Sequence, residues 1–340
     1  MKKKGLKIAA LLAFRNEELF MGTYMENMRK IADVILGYDD GSTDSSLQIF
    51  LQHGGILVPR LENQNAGQGA SLNIREHLLS VGRDYGFTIF IILDCDEIIV
   101  AKLPEVLKGK ISNLAPGEKL IMKWVMADNS GLGYMNEKSV WSPKDKDFAF
   151  RDKPDMHYPK DRRFVHFSRT PIHESSSHNY VFIDFQEAFV LHFQFLNWEL
   201  GQIKQSWYRL YEVLKLGRSY RVVNRTYEFT KEQPRESLRT DFNPNLKLDF
   251  TNHDALKFDA SNSWYFNDIE RELQNTSKFK VCNIDIWHFE TMQKLYQRQF
   301  GTEHSFSSLV DFLETFRLRI VHLIYLMREF LSTLKVTKNG

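Results

Sequence analysis

The chain has 340 residues, 43% hydrophobic and 26% charged, enough for one core with an appendage or for two domains, and this excludes a disordered or fibrous chain. Its 45 basic and 43 acidic residues leave a formal charge of +2, so no general field draws it to nucleic acid. Two cysteines, Cys95 and Cys282, exclude a disulfide framework and stand in no zinc-type spacing, which fits a reducing, cytoplasmic compartment.

In chain order, "LKIAALLA" at 6–13 predicts a buried first strand. The basic start before it mimics a secretory signal, but Lys7 interrupts the apolar stretch and "RNEE" follows with no small-residue cleavage pattern. No apolar run approaches the ~18 residues of a membrane span. Leu19, Tyr24, Met28 and Ile31 then recur at helical spacing. "VILGY" at 34–38 predicts a second strand, stopped by "DDGSTDSS", where Gly41 permits a turn and Ser42, Thr43 and Asp44 cap a helix to about residue 53.

This alternation implies parallel strands joined by right-handed crossovers. "GILVPRL" at 55–61 predicts a third strand, "GASLNIREHLLSVGRDY" a helix, and "FTIFIIL" at 87–93 a strand apolar on both faces, suited to the middle of a covered sheet. Segments 119–127, 163–167, 180–185 and 188–193 predict further strands, 129–164 an irregular segment, and 197–217 a helix ended by Gly217. The expected fold is therefore α/β, a mostly parallel central sheet flanked by helices over residues 1–218. A largely helical extension over 219–340 ends in an apolar stripe of Phe316, Ile320, Leu323, Ile324, Met327, Phe330 and Leu334.

The chemistry concentrates at strand ends. "IILDCDEII" at 91–99 crowds Asp94, Asp96 and Glu97 together, like charges that resist joint ionisation unless a partner offsets them. In an extended chain Asp94 and Asp96 share a side while Cys95 faces away. They lie past the carboxyl end of a central strand, where open α/β sheets bind ligands. Such hard oxygens suit Mg²⁺ or Mn²⁺ bridging to a phosphate; taken alone, an Asp-x-Asp reads equally as two solvated turn caps. Asp39 and Asp40 end another strand, and Arg15, Asn16 and Glu17 follow the first. Gly67 and Gly69 precede a helix, either as phosphate-facing backbone or as an ordinary loop.

In "LLAFRNEE" at 11–18, "ILGYDDGSTDSS" at 35–46, "NAGQGASLNIR" at 65–75 and "ILDCDEI" at 92–98, the chain resembles the nucleotide-sugar-dependent family 2 glycosyltransferases of bacterial type, with their GT-A fold. The resemblance covers the first 100 residues and, more loosely, the chain to about 215. It implies that Phe14, Arg15 and Glu17, with Asp40, hold the nucleoside, usually uridine. Asp39 would be a neighbour, and Gly67 and Arg75 would lie on the donor side. Asp94 would lie near the ribose, and Asp96 would hold the divalent cation, Mn²⁺ or Mg²⁺, on the diphosphate. Phe-Arg stands where many members have Pro or Thr and then Tyr, which leaves the base open.

"PIHESSSHN" at 171–179 and "AFVLHFQFLNWE" at 188–199 resemble the His-Glu and later His segments of bacterial members. Glu174 is then the general base that takes the acceptor hydroxyl's proton, with Asp184 and Glu187 as rivals. His192 would complete the metal shell or touch the leaving diphosphate. The implied reaction is a single inverting displacement from a nucleotide sugar, a UDP-sugar, to a glycan or lipid-linked acceptor, as in polysaccharide biosynthesis.

In the 129–164 segment Trp141 and Tyr158 are either sugar-stacking faces or anchoring aromatics, and Arg162 or Arg163 would meet a phosphate. The C-terminal stripe reads as a helix docked on its own domain or on a second copy in a homodimer, with peripheral contact at the inner face of an anionic membrane as the alternative. Two competing classes are a Mg²⁺-dependent phosphatase, whose Asp-x-Asp normally ends the first strand, and a non-catalytic nucleotide- or glycan-binding module.

Overall fold

The computed structural model describes residues 8–61, 72–158, 169–172, 179–233, 235–243, 248, 253–314 and 316–317. The first four strands come in the expected βαβα order: β1 (Ile8–Phe14), α1 (Glu18–Met28), β2 (Val34–Asp39), α2 (Ser46–Gln52), β3 (Ile56–Leu57), α3 (Leu72–Asp84) and β4 (Ile89–Ile92). Parallel pairing joins β3 to β2, β2 to β1 and β1 to β4, with Phe14 level with Asp39 at the carboxyl ends. β1 is apolar on both faces because both are covered. Ile8, Ala10, Leu12 and Phe14 enter one buried cluster, Ala9 and Leu11 a second beneath α3.

The sheet then changes character. β5 (Glu97–Ala101), α4 (Pro104–Ser112), β6 (Lys119–Met126), β7 (Gly133–Met135), β8 (Lys144–Arg151), β9 (Tyr180–Phe182) and β10 (Ala188–His192) follow. The order across the sheet is β3-β2-β1-β4-β8-β6-β10-β5, with β9 also pairing β6. β8 runs antiparallel between β4 and β6, and β5 antiparallel on β10. The sheet is thus mixed, with parallel pairs in the majority.

Several strands depart from expectation, the short β7 among them, since it lies inside the segment read as irregular. β8 lies inside the same segment, because "KDKDFAFR" opens on four charges. Two of those charges are answered across the pairing: Lys123 Nζ lies 3.0 Å from Asp145 and Lys119 Nζ 3.5 Å from Asp147. β5 follows the acids with too short a turn to be separated from β4 by pattern alone, and Glu97 N–H donates to the Asp94 carbonyl at 3.0 Å within it. The third strand shrinks to Ile56–Leu57, and the expected strand at 163–167 lies outside the described residues.

The chain forms two compact units, Met1–Trp198 with Gln233–Phe258, and Glu199–Glu232 with Asp259–Gly340. The division falls before residue 218 because α5 (Trp198–Leu214) is built into the second unit. Arg209 on α5 is fully buried and donates to the Tyr227 carbonyl and Thr230 hydroxyl at 2.7 Å and to the Asp285 carbonyl at 2.9 Å. Around it lie α6 (Tyr220–Thr226), α8 (Trp264–Gln274), α9 (Lys278–Val281) and α10 (Glu290–Phe300). The segment 233–258 instead returns to the first unit, where β11 (Arg239–Asp241) pairs β7 and α7 (Asp254–Lys257) carries its cap His253 to the Thr23 hydroxyl.

Candidate active site

The carboxyl ends of β1 and β2 are laced together before any ligand arrives. Asp40 N–H donates to the Phe14 carbonyl at 2.8 Å. Asn16 adopts φ +53, a left-handed conformation that Asn tolerates. From there its N–H reaches the Ser42 hydroxyl at 3.1 Å and its Oδ1 accepts Thr43 N–H at 2.7 Å. Glu17 N–H donates to the Ser46 hydroxyl at 2.6 Å, Glu18 N–H to Asp44, and Ser45 N–H back to Glu18. Asp39 turns inward to accept Ser42 N–H at 2.8 Å, and its carbonyl accepts Arg60 Nε at 3.0 Å. Its carboxylate thereby closes the turn. The Phe14 ring packs on Phe50 at 5.2 Å between centroids, so any part it takes at the rim falls to its backbone.

The acids after β4 separate into two roles. Cys95 faces the core and approaches Met21 of α1, as the alternation requires. Asp94 side chain is 46% exposed and lines a small recess with Leu11, Ala13, Arg75 and Tyr158. Burial and Asp96 push its pKa up, but Arg169 and Arg75 outweigh them and hold it below the ordinary carboxylate value. Asp96 is buried, and its Oδ2 lies 3.2 Å from His192 Nε2 at the end of β10. Phe193 N–H donates to the Asp96 carbonyl at 2.8 Å, which fixes the two strand ends to each other.

Glu97 is not a turn residue in water: its exposure is 0%. Arg169 meets it with two guanidinium bonds of 2.5 Å, Trp124 indole N–H donates at 2.7 Å, and Asp94 N–H at 2.9 Å. Arg169 also lies 3.2 Å from Asp94. For Asp94 and Glu97 the expected offset is supplied from within the chain, by Arg169; Asp96 lies against His192 Nε2. Arg169 is in turn held by the Tyr158 hydroxyl, which donates to its carbonyl at 2.9 Å, and by the Thr170 hydroxyl on Asp147 of β8. Against the cost of burial, Asp94 and Glu97 raise the pKa of Arg169, so it stays charged.

Arg169, Trp124 and Lys146 escaped sequence reading. A guanidinium 72 residues from its carboxylate leaves no local pattern, and Trp124 looks like any core aromatic on a strand. Trp141 packs edge-on against Phe195 at 4.7 Å and is an anchoring aromatic, while Tyr158 is buried and lines the recess beside Asp94. Asp184 and Glu187 precede β10, at the opposite end from His192, about 15 Å away at ~3.3 Å per residue. Glu187 is also occupied by Lys110 at 2.6 Å. Gly67, Glu174, Arg162 and Arg163 lie outside the described residues.

Asp96 Oδ2 and His192 Nε2 lie 3.2 Å apart and face each other directly; an oxygen and a nitrogen donor of these kinds are ones that would hold a divalent cation. Among the described residues no group of three or more acidic, histidine or cysteine side chains is placed to hold a metal ion. His192 Nδ1 is buried with no hydrogen-bond partner among the described residues, and the ring is oriented by Trp124, 4.8 Å away, in place of a carboxylate.

These features define an α/β protein with a cluster of acids at the carboxyl ends of its strands. No known family's sequence profile matches the chain, and no curated protein sequence matches it. Solved structures do match part of it. A glucosyl-3-phosphoglycerate synthase from Mycobacterium tuberculosis, solved with Mn²⁺, uridine diphosphate and glucosyl-3-phosphoglycerate, is 17% identical over 37% of this chain and 46% of its own (TM-score 0.26). A mannosyl-3-phosphoglycerate synthase from Rubrobacter xylanophilus is 22% identical over 36% and 41% (TM-score 0.26). TarS from S. aureus is 13% identical over 60% and 40% (TM-score 0.35). The chain spans less than half the length of each of these structures.

Proposed function

We infer that the protein is a glycosyltransferase that moves a sugar from a nucleotide-sugar donor, a UDP-sugar, to a glycan or lipid-linked acceptor, with a divalent cation and with inversion. The observation that carries this reading is the juxtaposition of Asp96 and His192 at 3.2 Å beside Asp94, on a rim whose β1 and β2 loops are already bonded together. A phosphate-bridging cation and a nucleoside need those two neighbouring features. A bound Mn²⁺ or Mg²⁺ would supply Lewis-acid stabilisation of the leaving diphosphate.

The chain's own residues do the rest. Asp96 and His192 would hold that cation through an oxygen and a nitrogen. Asp94, kept ionised by Arg169 and Arg75, accepts hydrogen bonds from the donor's ribose. Arg75 and the backbone at 14–17 and 40 border the nucleoside. Glu174 takes the proton from the acceptor hydroxyl as its oxygen attacks the anomeric carbon from the face opposite the departing diphosphate.

A thermal-shift panel of nucleoside diphosphates and nucleotide sugars, with and without Mn²⁺, tests the reading. A shift that requires metal and is confined to uridine compounds supports it; no shift with any nucleotide overturns it. A shift without turnover on any acceptor would reassign the protein as a binding module. Among the described residues no helix is long and apolar enough to cross a membrane.

A further inference from the structure

β8 places Lys146 beside the acid cluster, where nothing in the transferase reading uses it. Its Nζ lies 3.3 Å from the centre of the Trp124 ring. The same indole donates to Glu97 at 2.7 Å, and its ring is 4.8 Å from the His192 imidazole. The strand order β8-β6-β10 therefore puts the Trp124 indole between Lys146 and His192.

Its charge is poorly answered there. Strand alternation sends Asp145 and Asp147 to the other face, where Lys123 and Lys119 meet them. Arg169 takes up Glu97 and Asp94. Among the described residues no carboxylate lies within ion-pair distance of Lys146, and no acceptor receives its N–H groups. An aromatic face offsets only part of the lost hydration of a half-buried ammonium. A divalent cation at Asp96 would turn the local balance positive and leave Lys146 facing a ligand that must be anionic.

We propose that Lys146 is the contact for an anionic group, phosphate or carboxylate, of a substrate held beside Asp96 and His192. The group belongs either to the donor's diphosphate or to a charged acceptor; the chemistry recognised is the same. The cation and donor in this inference rest on the transferase reading. The lysine's own geometry does not.

The test uses the full chain, Lys146→Met and Lys146→Arg, with calorimetric titration of Mn²⁺ with uridine diphosphate, Mn²⁺ with pyrophosphate, uridine alone, and inorganic phosphate added to the preformed complex with Mn²⁺ and uridine diphosphate. Circular dichroism and melting temperature report whether each variant is folded. For a donor contact, Lys146→Met weakens uridine diphosphate and pyrophosphate about ten- to a hundredfold, leaves uridine unchanged, and Lys146→Arg recovers part of the loss. For an acceptor contact, the diphosphates bind as in the wild type and inorganic phosphate no longer binds to the Lys146→Met complex.

Equal binding of all four probes by wild type and folded Lys146→Met overturns the inference while leaving the transferase reading in place. Pyrophosphate binding that depends on Lys146, with no nucleotide bound by the wild type, overturns the transferase reading and keeps the lysine's role. Binding of no anion by the wild type overturns both.

Discussion

Asp96, Glu97 and Lys146 lie within one small region and respond to substitution in three different ways. Asp96→Ala removes an oxygen donor at a strand end without opening the core. Mn²⁺ affinity and metal-dependent transfer are expected to fall beyond detection, while the melting temperature moves by a few degrees at most; calorimetry with Mn²⁺ checks both. Glu97→Gln is isosteric yet leaves the Arg169 guanidinium buried with only Asp94 to answer it, and breaking such a pair costs about 3 kcal/mol or more in chemical denaturation. Lys146→Met moves stability the other way. Burial, then Arg169 beside it, pushes the Lys146 pKa down to about 8 from 10.5. The unfolded chain therefore binds that proton more tightly, and the penalty is complete below pH 8 and fades as pH rises through 10.5. The variant should gain on the order of 1 kcal/mol at pH 7 and nothing near pH 11, measured by urea denaturation across that range.

At the scale of elements, β1, β2, β4, β6 and β10 were legible in the sequence, whereas the antiparallel strands β5 and β8 were not. β1, β2 and β4 announce themselves because both their faces are buried, so every position up to Asp39 at the end of β2 is without charge. β8 is half charged and finds its partners on β6, a relation no local window contains. The same contrast separates the site residues. Asp94, Asp96 and His192 end apolar runs and could be named from them, whereas Arg169 and Trp124 acquire their roles only through Glu97. Packing within the parallel half also has a sharp requirement at Gly37 of β2 and at Gly55. The Phe50 ring lies against both, and a Cβ on either would run into it. Gly37→Ala should cost about 1–3 kcal/mol, read from the denaturation midpoint, and should loosen the carboxyl end of β2 that carries Asp39 and Asp40.

For the whole molecule, the second unit raises its own question at its end. Residues 308–314 and 316–317 are helical, and the helix is turned inside out. Asp311 meets Arg221 at 2.7 Å and Glu314 is buried, while Phe306, Leu309, Phe312, Leu313 and Phe316 stand 55–66% exposed. In the sequence the spacing of Leu309, Leu313 and Phe316 continues through Ile320, Leu323, Met327, Phe330 and Leu334 in steps of four and three, the repeat of helices that wind around one another. A second copy of the chain is the expected cover. Light scattering should give a mass above that of one chain, and a chain carrying Leu309→Ser, Leu313→Ser and Phe316→Ser should fall to one. A monomer in both cases, floating with anionic liposomes, would assign the stripe to a membrane surface instead.

The bonds that join residues 15–18 to 40–46 also constrain how this protein can be redesigned. Asn16, Ser42, Thr43, Asp44 and Ser46 each satisfy a group on the opposite loop, so neither loop keeps its shape alone. Replacing one of them alone would leave unmatched N–H groups on the other. The two loops form a single exchangeable cassette, and either can be swapped only together with its partner.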